Sequence, residues 1–327
     1  MSAIRVESLV KRFGMLAAVD GLSFEVHEGE LFGILGPNGA GKTTLINILS
    51  TLLRPTSGYA EVAGFSVLQR PDDVRRSIGV VFQETSLDSR LTARENLALH
   101  AAVYHVPRTE RRQRIAEMLA MVELEDRADS LVETFSGGMR RRLELARGFT
   151  HRPRVLFLDE PSLGLDAQTR RRMWDNIERL NREEATTVIL TTHYMEEADK
   201  LCGRVAILDR GRIVALDSPE RLKATLGGDV VTLETAGETA ALAAHLRGQP
   251  WVKAVRESGG ILDLTTEKSA QRIPDIVSAA QSLGVVLTTV NLRRPSLEDV
   301  FLQYTGRSIS NGEVDVAERF TRIREWV

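Results

Sequence analysis

Cysteine is nearly absent: Cys202 is the single one among 327 residues. That excludes an intrachain disulfide and a multi-cysteine zinc site, and it leaves the thiol as a small packed side chain. A dominant charge is lacking as well. The 43 Lys and Arg residues stand against 45 Asp and Glu, a net charge of −2, which argues against bulk nucleic-acid binding. Arginine greatly exceeds lysine, which reads as genome composition and not as a polyanion site. No uninterrupted apolar run approaches the roughly twenty residues that a bilayer-spanning helix needs. The first residues, Met1-Ser2-Ala3-Ile4-Arg5-Val6-Glu7, hold no apolar signal core. A soluble, cytoplasmic protein is therefore expected. Hydrophobic content is ordinary, so a real core can be buried, and the length suggests two domains.

What is present begins with Gly36-Pro37-Asn38-Gly39-Ala40-Gly41-Lys42-Thr43. The run fits G-x-x-x-x-G-K-[ST], the phosphate-cradling P-loop. It follows the apolar, strand-like Leu31-Phe32-Gly33-Ile34-Leu35 and precedes Leu45-Ile46-Asn47-Ile48-Leu49, which can continue as a helix. Strand, glycine turn and helix are the context the motif requires. The glycines let backbone N–H groups close on a polyphosphate. Lys42 would neutralise the outer phosphates, and the Thr43 hydroxyl would reach a Mg²⁺.

Around this loop, alternating residues at Ile4–Leu9 and Leu22–Val26 suit half-buried antiparallel strands. Arg54-Pro55-Thr56-Ser57-Gly58 reads as a turn cluster. Ile78–Phe82 reads as a short buried strand ending at Gln83. From about Thr92 to Leu131 the pattern turns helical, with Ile115, Met118, Leu119 and Val122 on one face. Val155–Leu158 and Thr187–Thr192 fit central parallel strands. Between them, Met173, Trp174, Ile177 and Leu180 form a helical stripe that packs on the sheet. Strands alternating with helices argue for an α/β sheet covered on both faces. Gly227-Gly228 reads as a linker. Beyond it the order β-α-β-β-α-β over residues 229–305 matches a ferredoxin-like domain, closed by a short helix from Leu297 to Tyr304. In the polar tail, 306–327, Phe320, Ile323 and Trp326 fit the stripe of a frayed surface helix.

Four further features narrow the chemistry. Asp159-Glu160 ends a buried strand; Asp159 can hold Mg²⁺ through water, and Glu160 can polarise an attacking water. Ser136-Gly137-Gly138 leads into a helix, with Ser136 as N-cap and the positive end of the helix suited to a γ-phosphate. Met139, Leu143, Ala146 and Phe149 form the apolar face of that helix. His193 follows the strand Thr187–Thr192, and Gln83 ends the strand that begins at Ile78.

Together these residues resemble the nucleotide-binding domain of ATP-binding-cassette (ABC) transporters, over roughly Ile4 to Leu226 and in the family's order. The resemblance implies that Phe13 stacks on adenine, that Gly36 to Thr43, with Thr44, is Walker A, and that Gln83 is the Q-loop. It makes Ser136-Gly137-Gly138 the signature motif, Val155–Asp159 Walker B and Glu160 the catalytic glutamate. Ser162–Asp166 becomes the D-loop, with Asp166 at the nucleotide, and His193 the switch histidine. Phe135 replaces the usual leucine and Met139 the usual glutamine, which leaves the serine and glycine donors in place. Leu297-Glu298-Asp299-Val300-Phe301-Leu302 is similar to the C-terminal extension of the daunorubicin-resistance branch, which works with separate ABC-2 permeases.

The implied fold is a P-loop ABC cassette over 1–226, with an N-terminal antiparallel β-subdomain and a helical subdomain at about 84–150, plus the small α+β domain. The implied cofactors are ATP and Mg²⁺, the latter held by Thr43, Gln83 and Asp159. Lys42, Gln83, Glu160 and His193 carry hydrolysis. The implied partners are a second copy of the chain, head to tail across two ATP molecules, and a membrane permease at the cytoplasmic face, with no nucleic acid. The implied function is ATP-driven export of a hydrophobic or amphipathic compound. A non-transport ABC ATPase and a nucleotide-switched binding module are the alternatives.

Overall fold

The computed structural model describes residues 2–236, 239–258, 260–266 and 269–306. The stripe expected at Phe320, Ile323 and Trp326 lies outside them. The chain divides into two compact units, one running to Asp217 and the other starting at Ser218.

The first unit opens with two long strands, β1 (Ser2–Phe13) and β2 (Leu16–His27), and continues through β3 (Leu31–Leu35) into α1 (Lys42–Leu49). Then come β4 (Ser57–Val62), β5 (Phe65–Ser66), α2 (Pro71–Ser77) and β6 (Ile78–Val81). Three helices follow, α3 (Ala93–Val103), α4 (Arg108–Met121) and α5 (Gly137–Phe149). The unit closes with β7 (Val155–Asp159), α6 (Ala167–Glu184), β8 (Thr187–Thr192), α7 (Met195–Leu201), β9 (Arg204–Asp209) and β10 (Arg212–Asp217).

The alternation read in β1 and β2 has a direct consequence. Ile4, Val6, Leu22, Phe24 and Val26 are all buried while Arg5, Glu7, Ser23 and Glu25 between them are exposed, so the antiparallel sheet β2-β1-β4-β5 covers the core with one face. The second sheet has the order β10-β9-β3-β8-β7-β6. Its strands from β9 to β6 are parallel, with β10 antiparallel at the edge. Every residue of β3, β7 and β8 is buried, as expected for strands covered on both faces. Trp174, Met173, Ile177 and Leu180 of α6 are buried too.

This order does one thing that sequence order does not. It lays β3, β8, β7 and β6 side by side, so the segments leaving their carboxyl ends emerge at one rim. In open parallel sheets that rim is where ligands bind. The P-loop leaves β3, His193 leaves β8, Glu160 leaves β7 and Gln83 stands just beyond β6.

Helices α3, α4 and α5 pack on one another, with Ile115, Met118, Leu119, Val122, Leu143, Ala146 and Phe149 buried. A capping box starts α3: Thr92 Oγ1 accepts from Glu95 N at 3.2 Å and the Glu95 carboxylate accepts from Thr92 N at 2.8 Å.

The second unit contains α8 (Pro219–Ala224), β11 (Asp229–Ala236), α9 (Ala240–Arg247), β12 (Val252–Ser258), β13 (Ile261–Thr266), α10 (Ser269–Ser282), β14 (Val286–Arg293) and α11 (Leu297–Thr305). Its sheet is antiparallel throughout with the order β12-β13-β11-β14, the ferredoxin-like arrangement expected from β-α-β-β-α-β. Val231, Leu233, Leu262 and Leu264 meet Leu242, Leu246 and Ile276 of α9 and α10 in a core of their own. Helix α8 stands ahead of the Gly227-Gly228 linker read from sequence, yet it packs against α11. It belongs to this unit, which starts at Ser218, and Leu222 on it is buried.

A candidate nucleotide site at the rim of the parallel sheet

The loop between β3 and α1 is held from several sides. Gly36 N donates to Thr192 O at 3.2 Å, tying the loop's start to the end of β8. Gly41 has φ +108°, and a Cβ there would lie 2.2 Å from Ala18 O, so both conformation and space demand glycine. Gly41 precedes α1 and offers no side-chain cap. The first N–H groups of the helix therefore stay available to an anion. Lys42 is buried, and its ammonium donates to Gly36 O at 2.7 Å and Pro37 O at 3.2 Å. It also pairs with Glu160 Oε1 at 3.1 Å.

Glu160 stands one residue beyond β7 with φ +49°, a left-handed conformation that costs a non-glycine residue energy. Its amide donates to Thr191 O and Thr191 Oγ1, both at 3.1 Å. Its Oε2 lies 3.0 Å from His193 Nδ1. Burial pushes the Glu160 carboxyl up. The hydrogen bond from His193 and the adjacent Lys42 ammonium outweigh that and hold it below the usual carboxylate range. Glu160 is thus an ionised acceptor clamped between two donors. Thr191 Oγ1 also donates to Asp159 Oδ1, fixing the neighbouring carboxylate.

A cleft of about 670 Å³ opens here. Of the residues expected at the nucleotide, Phe13, Pro37, Asn38, Gly39, Gly41, Lys42, Thr43, Thr44, Gln83, Glu160 and His193 line it. Phe13 is half exposed. Leu163 of the Ser162–Asp166 segment lines it too, and Leu16, Ala18 and Tyr194 join them unannounced by the motifs. Gly36, Ala40 and Asp159 are not in the lining; Ala40 and Asp159 are buried behind it. Ser136, Gly137, Gly138 and Asp166 are not in the lining either. Ser136 caps α5, accepting from Met139 N at 3.3 Å, and both Ser136 and Gly137 are exposed. Asp166 caps α6, accepting from Gln168 N at 3.0 Å and Thr169 N at 2.9 Å, so its carboxylate is engaged within its own turn. The Thr43 hydroxyl, the Gln83 side-chain carbonyl and the Asp159 carboxylate are all oxygen donors, the set a hard divalent cation such as Mg²⁺ prefers.

Three side chains around the site escaped the motif reading. Arg141, inside the Arg140-Arg141-Arg142 run, reaches four backbone carbonyls next to the cleft. Glu144 is fully buried and accepts from Thr85 Oγ1 at 3.0 Å and Ser86 N at 2.6 Å. Glu197 is also fully buried and accepts from Trp174 Nε1 at 2.8 Å. Burial pushes the Glu197 carboxyl up, against the hydroxyls of Thr192 and Ser162 and the Trp174 N–H. A charged residue in a helix ordinarily signals a solvated face, so only burial reveals these roles.

A glycine loop from a central parallel strand into a helix, with its lysine facing an ionised carboxylate from the next-but-one strand, defines a P-loop nucleotide-binding protein. The ABC transporter family model matches residues 19–163, and the model for the C-terminal domain of DrrA1-3-like ATP-binding proteins matches residues 218–305. The daunorubicin resistance ATP-binding protein DrrA2 of Streptomyces coeruleorubidus is 41% identical over 318 residues, covering 96% of this chain and 98% of that one. The linearmycin resistance ATP-binding protein LnrL of Bacillus subtilis is 36% identical over 309 residues, covering 94% and 99%. Among solved structures, the ATP-binding cassette MJ0796, a dimer in a post-hydrolysis state bound to ADP and Pi, superimposes with a TM-score of 0.60 at 29% identity. That match covers 66% of this chain and 98% of the cassette. The chain belongs to the ABC transporter ATP-binding proteins, in their daunorubicin-resistance-type branch, and is an ATPase.

Proposed function

We propose that two copies of this chain close head to tail on two ATP molecules and drive export of a hydrophobic or amphipathic compound through a separate ABC-2 permease. One observation supports the paired site above all. The cleft of a single chain holds the P-loop, Gln83, Glu160 and His193, while the Ser136-Gly137-Gly138 helix end stands outside it and faces solvent. An exposed helix N-terminus with free N–H groups is suited to a γ-phosphate presented by another copy. The dimeric state of MJ0796 and the resistance and Nod factor export named for relatives support the same reading. Among the described residues no helix is long and apolar enough to cross a membrane.

In this reading Lys42 and the loop amides stabilise charge on the transferring phosphoryl group. Thr43, Gln83 and Asp159 would hold Mg²⁺, which when bound neutralises charge on the outer phosphates. Glu160 orients the attacking water and draws on its proton, and His193 keeps the Glu160 carboxylate in register. Gln83 and the segment 84–105 face the permease, so closure becomes a pull on it.

The test is the size of a Glu160→Gln variant with ATP and Mg²⁺. A dimer is expected; a persistent monomer well above its nucleotide affinity refutes the paired site. Cross-linking from residues 84–105 checks the permease face.

A further inference from the structure

The arginine run opening α5 contains one member that serves the site from behind. Arg141 Nε donates to Pro161 O at 2.8 Å, and its Nη2 donates to Asp159 O at 2.9 Å and Glu160 O at 3.0 Å. Its Nη1 donates to Phe82 O, the carbonyl just before Gln83. One planar guanidinium thus grips the chain on both sides of Glu160 and joins it to the start of the Q-loop. The need for such a grip is visible in the backbone, since Glu160 sits at φ +49°. Thr191 pins its amide, Arg141 pins its carbonyl, and Lys42 and His193 aim its carboxylate. One turn further along α5, Glu144 ties the same helix to Thr85 and Ser86, and Arg147 Nη2 donates to it at 2.8 Å.

We propose that Arg141 is a positioning residue for hydrolysis, setting the direction of the Glu160 carboxylate relative to Gln83 from the helix that carries Ser136-Gly137-Gly138. The inference rests on the reading of Glu160 as the water-orienting group. Lysine cannot replace this arginine. Its single ammonium lacks the fixed fork that matches four carbonyls on two segments. A small misalignment is expensive, because displacement by about 1 Å can cost about a hundredfold in rate.

The experiment measures kcat, KM and equilibrium ATP binding on the full chain carrying Arg141→Lys or Arg141→Ala, with Glu160→Gln alongside. The expected result is kcat lower by about a hundredfold with ATP affinity within about threefold of the parent. Guanidinium ion at millimolar concentration is expected to restore part of the turnover of Arg141→Ala and none of Glu160→Gln. If Arg141→Ala does not fold, Arg141→Lys decides. Turnover within about threefold of the parent overturns the proposal, and so does a loss of ATP affinity as large as the loss of kcat. Failure of both variants to fold overturns it too, since arginine would then serve folding alone. Normal turnover in Glu160→Gln brings down the reading of Glu160 itself. An inactive Glu160→Gln beside an active Arg141→Lys removes only the role of Arg141.

Discussion

Acid should loosen the first unit through two histidines that do not line the nucleotide cleft. His100 of α3 and His151, just beyond α5, pack around Tyr104. The ring centroids of Tyr104 and His151 are 3.8 Å apart, those of His100 and Tyr104 4.6 Å. His151 Nε2 lies 2.9 Å from Ile78 O, so that nitrogen carries the proton and donates. Its Nδ1 is bare and without a partner, as is His100 Nε2. Burial, aided by the nearby Arg147 charge, pushes His100 down to about 3. Burial likewise pushes His151 down to about 4, only partly opposed by its bond to Ile78. An unfolded histidine titrates near 6.5, so between there and the folded values the unfolded chain holds protons that the folded chain refuses. Stability is complete above about pH 6.5 and falls as pH drops, by up to about 1.4 kcal/mol per unit for each ring. Between pH 7 and 5 the loss integrates to about 2 kcal/mol per ring, about 4 kcal/mol for both. The assay is urea unfolding at pH 7, 6 and 5, followed by fluorescence of the buried Trp174. A His100→Phe/His151→Gln variant should lose less than about 1 kcal/mol over the same range. If it loses as much as the parent, the two rings are not the acid-sensitive groups and the argument fails.

Two other outcomes are expected. Glu160→Gln and His193→Ala should each raise the barrier to hydrolysis by about 3 kcal/mol, two powers of ten in rate. Phosphate release over many turnovers checks this, and near-normal rates in both variants would refute the assignments. Trp174→Phe leaves Glu197 Oε1 without its donor at no exposure, so about 1–3 kcal/mol of stability should be lost. Urea midpoints measure it, and a neutral substitution would mean that Glu197 is satisfied by its hydroxyl neighbours alone.

Much of the cleft lining was legible because its parts are local. Gly36 to Thr43, Asp159-Glu160, Gln83 and His193 each follow directly on an apolar strand, and the strand and the polar residue that ends it are read in one window. The buried stripes of α4, α5 and α6 were readable for the same reason, since 3.6-residue periodicity needs no knowledge of the partner. Strands β4, β9 and β10 carried no comparable signal. Neither did α8, whose place beside α11 runs against the linker that glycines suggested.

The amino-acid order by itself determined where a glycine loop runs into a lysine and where carboxylates end a buried strand, because those are properties of short spacing. The pairing order of the sheet was decided only in three dimensions, and by laying β7 beside β8 it brings Glu160 Oε2 and His193 Nδ1, each just beyond its strand, to 3.0 Å. The grip of Arg141 and the burial of Glu144 and Glu197 were decided there as well. A charged side chain declares its solvent and its partners only once distant segments have closed around it.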